Sequence, residues 1–224
     1  MWDSLRCRAI VEPEWYARTF GIGWTLANDQ NETMHFKTTA GGSRLTLSTG
    51  SSVTGARGDV LLVDDGLDAA SAHSAAERSR VNDWFDMAFA NRLADMRTGA
   101  RIVIGQRLHV EDLIGHVLAT EPRASCHLSI PQLSEPERRC VTSIWSDPST
   151  QAGELAFPER FPQAVIDGER RRLGASGFSA QHQQAPYLLG GEIFKRDALQ
   201  LWAAVQRCLI SLASASAQTR HFRQ

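Results

Sequence analysis

The run Asp59-Val60-Leu61-Leu62-Val63-Asp64-Asp65 sets two carboxylates directly behind four apolar residues. An apolar run of that length, entered through the turn formers of residues 50–58, reads as a central strand covered on both faces. Open parallel sheets present ligands at the carboxyl ends of their strands, so acids at that point face the usual binding crevice. The chemistry that fits is nucleotide hydrolysis. Asp64 would hold the hydrated magnesium that bridges the phosphates, and Asp65 would orient or deprotonate the attacking water. The same residues also suit an ordinary turn or a helix cap.

A second apolar run, Ile102-Val103-Ile104, ends in Gly105-Gln106-Arg107. In a parallel sheet those residues share an edge with Asp64 and Asp65. There the Gln106 amide can hydrogen-bond a γ-phosphate or the attacking water, or it can simply solvate the loop. Arg57, in the glycine-bounded loop before the first strand, has the chemistry of an arginine finger acting on a neighbouring subunit's nucleotide, or of a plain surface arginine. His109, Glu111, Asp112 and His116 lack the spacing of a metal helix, which sets two histidines four apart. Glu111 and Asp112 instead fit the first turn of a helix, where negative charge complements the dipole. No GxxxxGK[ST] phosphate-binding loop occurs in the 224 residues, so half of an ATP site is absent from them.

The elements that must position these groups can be read from periodicity. Residues 5–20 read as a helix presenting Trp15 and Tyr16. Residues 32–39 and 43–48 alternate around Ala40-Gly41-Gly42 as a hairpin with Met34, Phe36, Leu45 and Leu47 on one side. Residues 70–95 carry Val81, Trp84, Phe85, Ala88, Phe89 and Leu93 at helical spacing. Strand, helix and strand then make a crossover unit with parallel strands. A helix over 110–119 and a strand near 126–130 continue a doubly wound α/β layer. From Gln132 the texture turns to Pro, Ser, Glu and Arg, marking a boundary. Two short helices follow over 163–173 and 174–184, and Gly190-Gly191 marks a further junction.

Bulk composition narrows the class. With 42% hydrophobic and 22% charged residues the chain can bury a core, and a formal net charge of −1 supplies no global basic field for nucleic acid. Cys7, Cys126, Cys140 and Cys208 form no CxxC pair, which fits a reducing, cytoplasmic setting. No apolar run nears the ~18 residues of a membrane span, and no signal peptide pattern opens the chain.

Taken in order, the motifs resemble the phage large terminases. The resemblance runs through Cys7-Arg8 with Trp15-Tyr16, Asp29-Gln30-Asn31-Glu32-Thr33, Thr38-Thr39-Ala40-Gly41-Gly42, and Thr54-Gly55-Ala56-Arg57-Gly58-Asp59 leading into Val63-Asp64-Asp65. It continues through Gln106-Arg107-Leu108-His109, Glu111-Asp112-Leu113, Gly115-His116, Gly153-Glu154-Leu155, Pro158-Glu159-Arg160-Phe161-Pro162 and Gln183-Gln184-Ala185-Pro186, to Gly190-Gly191 with Phe194.

That resemblance implies an ATP-driven motor that packages viral DNA into the procapsid, joined to a two-metal nuclease. Asp64 would assist Mg²⁺, Asp65 would take the catalytic carboxylate position, and Gln106 the coupling position. The implied fold is α/β: a partial P-loop-NTPase-type (ASCE) parallel sheet with flanking helices, followed by a small helical linker segment. The implied domains are 1–131 as the C-terminal part of the ATPase domain, 132–190 as a linker subdomain, and 191–224 as a truncated or divergent start of the nuclease domain. Implied cofactors are ATP and Mg²⁺. Implied partners are double-stranded viral DNA, the small terminase subunit, the portal protein and further copies of the chain, in the cytoplasm of a bacterial host. The family's P-loop is expected ahead of residue 1, and residues 198–224 hold no acidic residue for a nuclease site. The chain is therefore expected to be a fragment with Walker B and coupling motifs only, inactive alone. The alternative is a catalytically inactive prophage remnant that at most binds DNA or a terminase partner. A sheet without its first strand should leave apolar surface exposed.

Overall fold

The computed structural model of the chain describes residues 2–123 and 125–188. Met1–Tyr187 forms one compact unit. The expected nuclease start at 191–224, with Gly190-Gly191, Phe194 and Cys208, lies outside the described residues.

Two helices, α1 (Trp2–Val11) and α2 (Glu14–Phe20), replace the single helix read over 5–20. The break falls at Pro13, which has no N–H to continue a helix and pushes the residue before it out of helical backbone. Tyr16 of α2 packs edge-on against Trp15 and tilts against Phe20 and Trp24. Strands β1 (Leu26–Asn31), β2 (His35–Thr38) and β3 (Ser43–Leu45) form an antiparallel sheet in that order. The hairpin is where the alternation placed it, but its faces are not. Phe36 pairs with Arg44 and His35 with Leu45, so Leu45 lies on the face opposite Phe36. The turn closed by the Thr38 and Gly41 N–H groups sets this register, and a one-residue shift turns every side chain over. Phe36 is accordingly buried while Leu45 and Leu47 are exposed.

The second sheet carries the chemistry-bearing residues. Strands β4 (Val60–Asp64) and β5 (Ala100–Ile104) pair in parallel, Val60 beside Ala100 through Asp64 beside Ile104. The connection between them is not the single helix read over 70–95. Ser74 caps α3 (Ala75–Trp84), which passes into a π turn over Phe85–Phe89 and a 3₁₀ turn over Ala90–Arg92. The widened turn stacks Trp84 on Phe89 at 4.9 Å, and Val81, Phe85 and Ala90 join Val63 and Leu113 in the core. Helix α4 (Leu113–Thr120) adds Leu113 and Val117 to that core.

Two further expectations are corrected. Strand β4 is not covered on both faces: Leu61 and Val63 are buried, whereas Val60 is 57% and Leu62 51% exposed. Ile102 and Ile104 of β5 continue that open face. Among the described residues the helices cover one side of the pair only. The stretch 126–130 is not a strand either. Its Ser129 N–H goes to the Cys140 thiol, a side chain standing where a strand partner would be, and Leu128 and Ile130 are exposed.

Residues 132–187 belong to the same unit as the sheets. Gln132 and Ser134 exchange backbone bonds with Ala156, Glu154 and Gly153, and the Gln132 N–H reaches His182 O at 2.7 Å. Helix α5 (Gln163–Gln181) is two helical segments joined at Gly174, whose φ 69°, ψ 178° is a conformation open essentially to glycine alone. This is the division expected between 163–173 and its successor. The architecture is mixed α/β, with a two-stranded parallel sheet and flanking helices. No helix of the described residues is long and apolar enough to cross a membrane.

Candidate functional site

Asp64 ends β4 and Asp65 follows it, and both are exposed. Strand alternation puts Asp64 on the open face beside Leu62. Asp65 adopts φ 46°, a left-handed conformation that aspartate tolerates better than most residues, and its N–H bonds Ile104 O at 3.0 Å. The turn thus ties the end of β4 to the end of β5. Asp65 and Gln106 line one small cleft with Gly66, Gly105, Asp112 and Leu113. Its volume of about 20 Å³ accommodates one water molecule. Among the described residues the Asp64 and Asp65 carboxylates take no part in an ion pair. That leaves them free for a hydrated Mg²⁺, which takes one or two protein carboxylates and fills its octahedron with water and phosphate.

The loop that presents Gln106 is built on Asp112, which is 4% exposed. Its carboxylate accepts hydrogen bonds from the Leu108, His109 and Gly115 N–H groups at 2.9, 3.2 and 2.8 Å. It also pairs with Arg107 Nε at 2.9 Å. A buried carboxylate requires such partners, and Asp112 is at the same time the N-cap of α4. Arg107 is thereby turned away from the cleft, its Nη2 donating to His109 O and Val110 O. Gly115 is needed because a Cβ there would lie 2.0 Å from Val110 O. From the far side, the Arg107 N–H bonds the Gln184 side chain at 2.9 Å.

Arg57 does not join this site. It precedes β4, and its guanidinium donates to Leu93 O at 3.3 Å. The strand, ~16 Å long at the usual rise, separates it from Asp65. Any finger role would therefore address a nucleotide other than one held at Asp65. The histidines and acids of 109–116 are engaged separately. The His109 Nδ1 accepts the Glu111 N–H, Arg78 pairs with Glu111 at 3.1 Å, and His116 Nε2 meets Asp86 at 2.8 Å. Burial, with the nearby Arg78 charge, holds the His109 ring below its ordinary pKa of 6.5.

A larger cleft of about 490 Å³ lies in 132–187, lined among others by Leu133, Glu135, Arg170, Phe178 and Gln183. Arg170 sits over the Phe178 ring, which stacks on His182. Burial raises the Glu135 carboxyl, but hydrogen bonds from Gln183 and Arg138 outweigh it and hold the group below its ordinary value. This cleft contains no carboxylate at a strand end and neither Asp65 nor Gln106, both of which line the smaller cleft, so the smaller cleft is the better candidate despite its size.

The sequence pointed to Asp112 as a charge in the first turn of a helix, its spacing arguing against a metal cluster, and gave Gln184 no role. The helix-start position and the polar loop ahead of it were a readable signal for Asp112. Gln184 lies 77 residues from its partner, and no local signal exists for it. No family model matches the chain, and no curated protein matches it significantly.

Proposed function

We propose that the chain is a piece of a phage large terminase subunit, contributing the magnesium and water-activating half of the ATP site of a DNA-packaging motor. The observation that carries this reading is the convergence of Asp65, from the end of β4, and Gln106, from the loop after β5, on one cleft with room for a single water. Asp64, beside it, supplies the second carboxylate for Mg²⁺. In this reading Asp65 activates the attacking water, Gln106 senses the γ-phosphate, and Arg57 reaches the nucleotide of a neighbouring copy. The parallel pair would be part of an ASCE-type sheet, and the phosphate-binding loop would come from outside these 224 residues. Viral double-stranded DNA, the small subunit and the portal are the proposed partners, in the bacterial cytoplasm.

The test is ATP turnover with Mg²⁺ by the purified chain, alone and co-expressed with a segment carrying a P-loop. The expected result is none alone, and turnover in the mixture that Asp64→Ala or Asp65→Ala abolishes. A mixture that stays inactive would sink the split-motor reading. Turnover by the chain alone that Asp64→Ala removes would overturn its inactivity. The open apolar face of Val60, Leu62, Ile102 and Ile104 favours a second reading, a non-catalytic remnant that docks a terminase partner. Complex formation without ATP turnover would select it.

A further inference from the structure

Two residues other than glycine have positive φ among the described residues, Asp65 at 46° and Gln184 at 52°. Both hold the same loop. Asp65 binds its beginning through Ile104 O, and Gln184 binds it through the Arg107 N–H, leaving Gly105 and Gln106 between two anchored residues. Left-handed backbone costs ~1 kcal/mol at a residue with a Cβ, so it persists where the surroundings demand it. Glutamine has no special tolerance for it.

The geometry of the neighbouring glutamine shows what the strain achieves. Gln183 turns its amide toward Leu133, exchanging two hydrogen bonds of 2.9 Å with that residue's backbone, and toward Glu135. Gln184 turns its amide the other way. Its Oε1 accepts the Arg107 N–H at 2.9 Å, and its Nε2 donates to Gln181 O at 2.7 Å, so both ends of the amide are used. The pair clasps the end of α5 to the 133–135 segment on one side and to the Gln106 loop on the other.

We propose that Gln184 is a positioning residue for the ATP site: it acts through the Arg107 N–H to hold Gln106 beside Asp65. This rests on the reading of Asp65 and Gln106 as parts of that site. Asp112 holds the Arg107 side chain and the backbone N–H groups from Leu108 onward, so Gln184 governs the Arg107 backbone N–H just ahead of them.

The experiment uses the full ¹⁵N-labelled chain and its Gln184→Gly and Gln184→Asn variants. Both replacements accept positive φ, and neither can reach Arg107. The melting temperature should therefore change little, because relief of strain offsets the lost bond. Arg107 amide exchange should rise about fivefold, the size of one net hydrogen bond, while the Leu108 and Gly115 amides stay protected. The Gln106 backbone order parameter should fall toward the flexible range, below ~0.6. With Mn²⁺ as the probe, broadening at the Gln106 side-chain amide should weaken in both variants while broadening at the Asp64 and Asp65 amides stays unchanged. Unchanged Arg107 exchange and Gln106 order would overturn the proposal. So would a uniform loss of protection with a lower melting temperature, which a merely structural glutamine would give. Absence of Mn²⁺ broadening at Asp64 and Asp65 in the parent chain would count against the magnesium reading, while Arg107 exchange and Gln106 order would still decide the clasp.

Discussion

Replacing Asp112 by alanine removes the hub of the loop that carries Gln106. The carboxylate has its Arg107 partner at 2.9 Å, with the two side chains 6% and 12% exposed. Breaking a buried pair by deleting one partner costs ~3–5 kcal/mol, because the remaining charge stays desolvated. Three N–H groups lose their acceptor as well, and α4 loses its cap, a loss of ~1 kcal/mol by itself. These terms overlap, since the same oxygens serve all of them, so ~3–5 kcal/mol is the expected total. Asp112→Asn is not neutral. Donors approach both carboxylate oxygens, Gly115 at Oδ1, Leu108 and His109 at Oδ2 and Arg107 at both, so an amide must turn its NH₂ toward an N–H on one side. About half the loss, ~2 kcal/mol, is expected for it. The assay is urea denaturation, read as a shift of midpoint at constant slope, repeated in high salt, which screens a buried pair little. If Asp112→Ala costs under ~1 kcal/mol, or Asp112→Asn matches the parent chain, the carboxylate is not the hub described here.

Leu61 and Leu62 test the one-sided sheet. Leu61→Ala should cost ~2–4 kcal/mol by cavity formation, and Leu62→Ala, at 51% exposure, under ~1 kcal/mol, both read by urea midpoints. Gly115→Ala should destabilise at the upper end of the ~1–3 kcal/mol typical of overpacking, because the obstacle is the Val110 backbone, and should loosen Arg107 as measured by amide exchange. The His109 pKa is lower in the folded state, so folding favours the neutral ring. That contribution is complete above the unfolded value of 6.5, and stability falls as pH drops from there toward the folded pKa. His109→Asn, which keeps an acceptor for the Glu111 N–H, should flatten the decline in stability between pH 7 and 5 followed by thermal melts.

The sequence by itself determined the local features. The hairpin turn at Ala40-Gly41-Gly42, the parallel β4 and β5 and the helix start at Asp112 all follow from short-range sterics, capping and periodicity. The placement of Asp65 and Gln106 at one edge also followed, because parallel strands joined by a crossover must end on the same side. What only the tertiary structure decided is which face of each strand is covered. Val60, Leu61, Leu62 and Val63 are all apolar, so their sequence carries no alternation; Leu61 and Val63 alone are buried, Val63 in the core with Val81 of α3 and Leu113 of α4. The hairpin faces depended on a turn register that the pattern leaves open by one residue. Gln184 reaching the loop from 77 residues away and Arg78 meeting Glu111 from 33 residues away are long-range contacts. Closing such contacts costs chain entropy that only the assembled core repays, so no window of sequence encodes them.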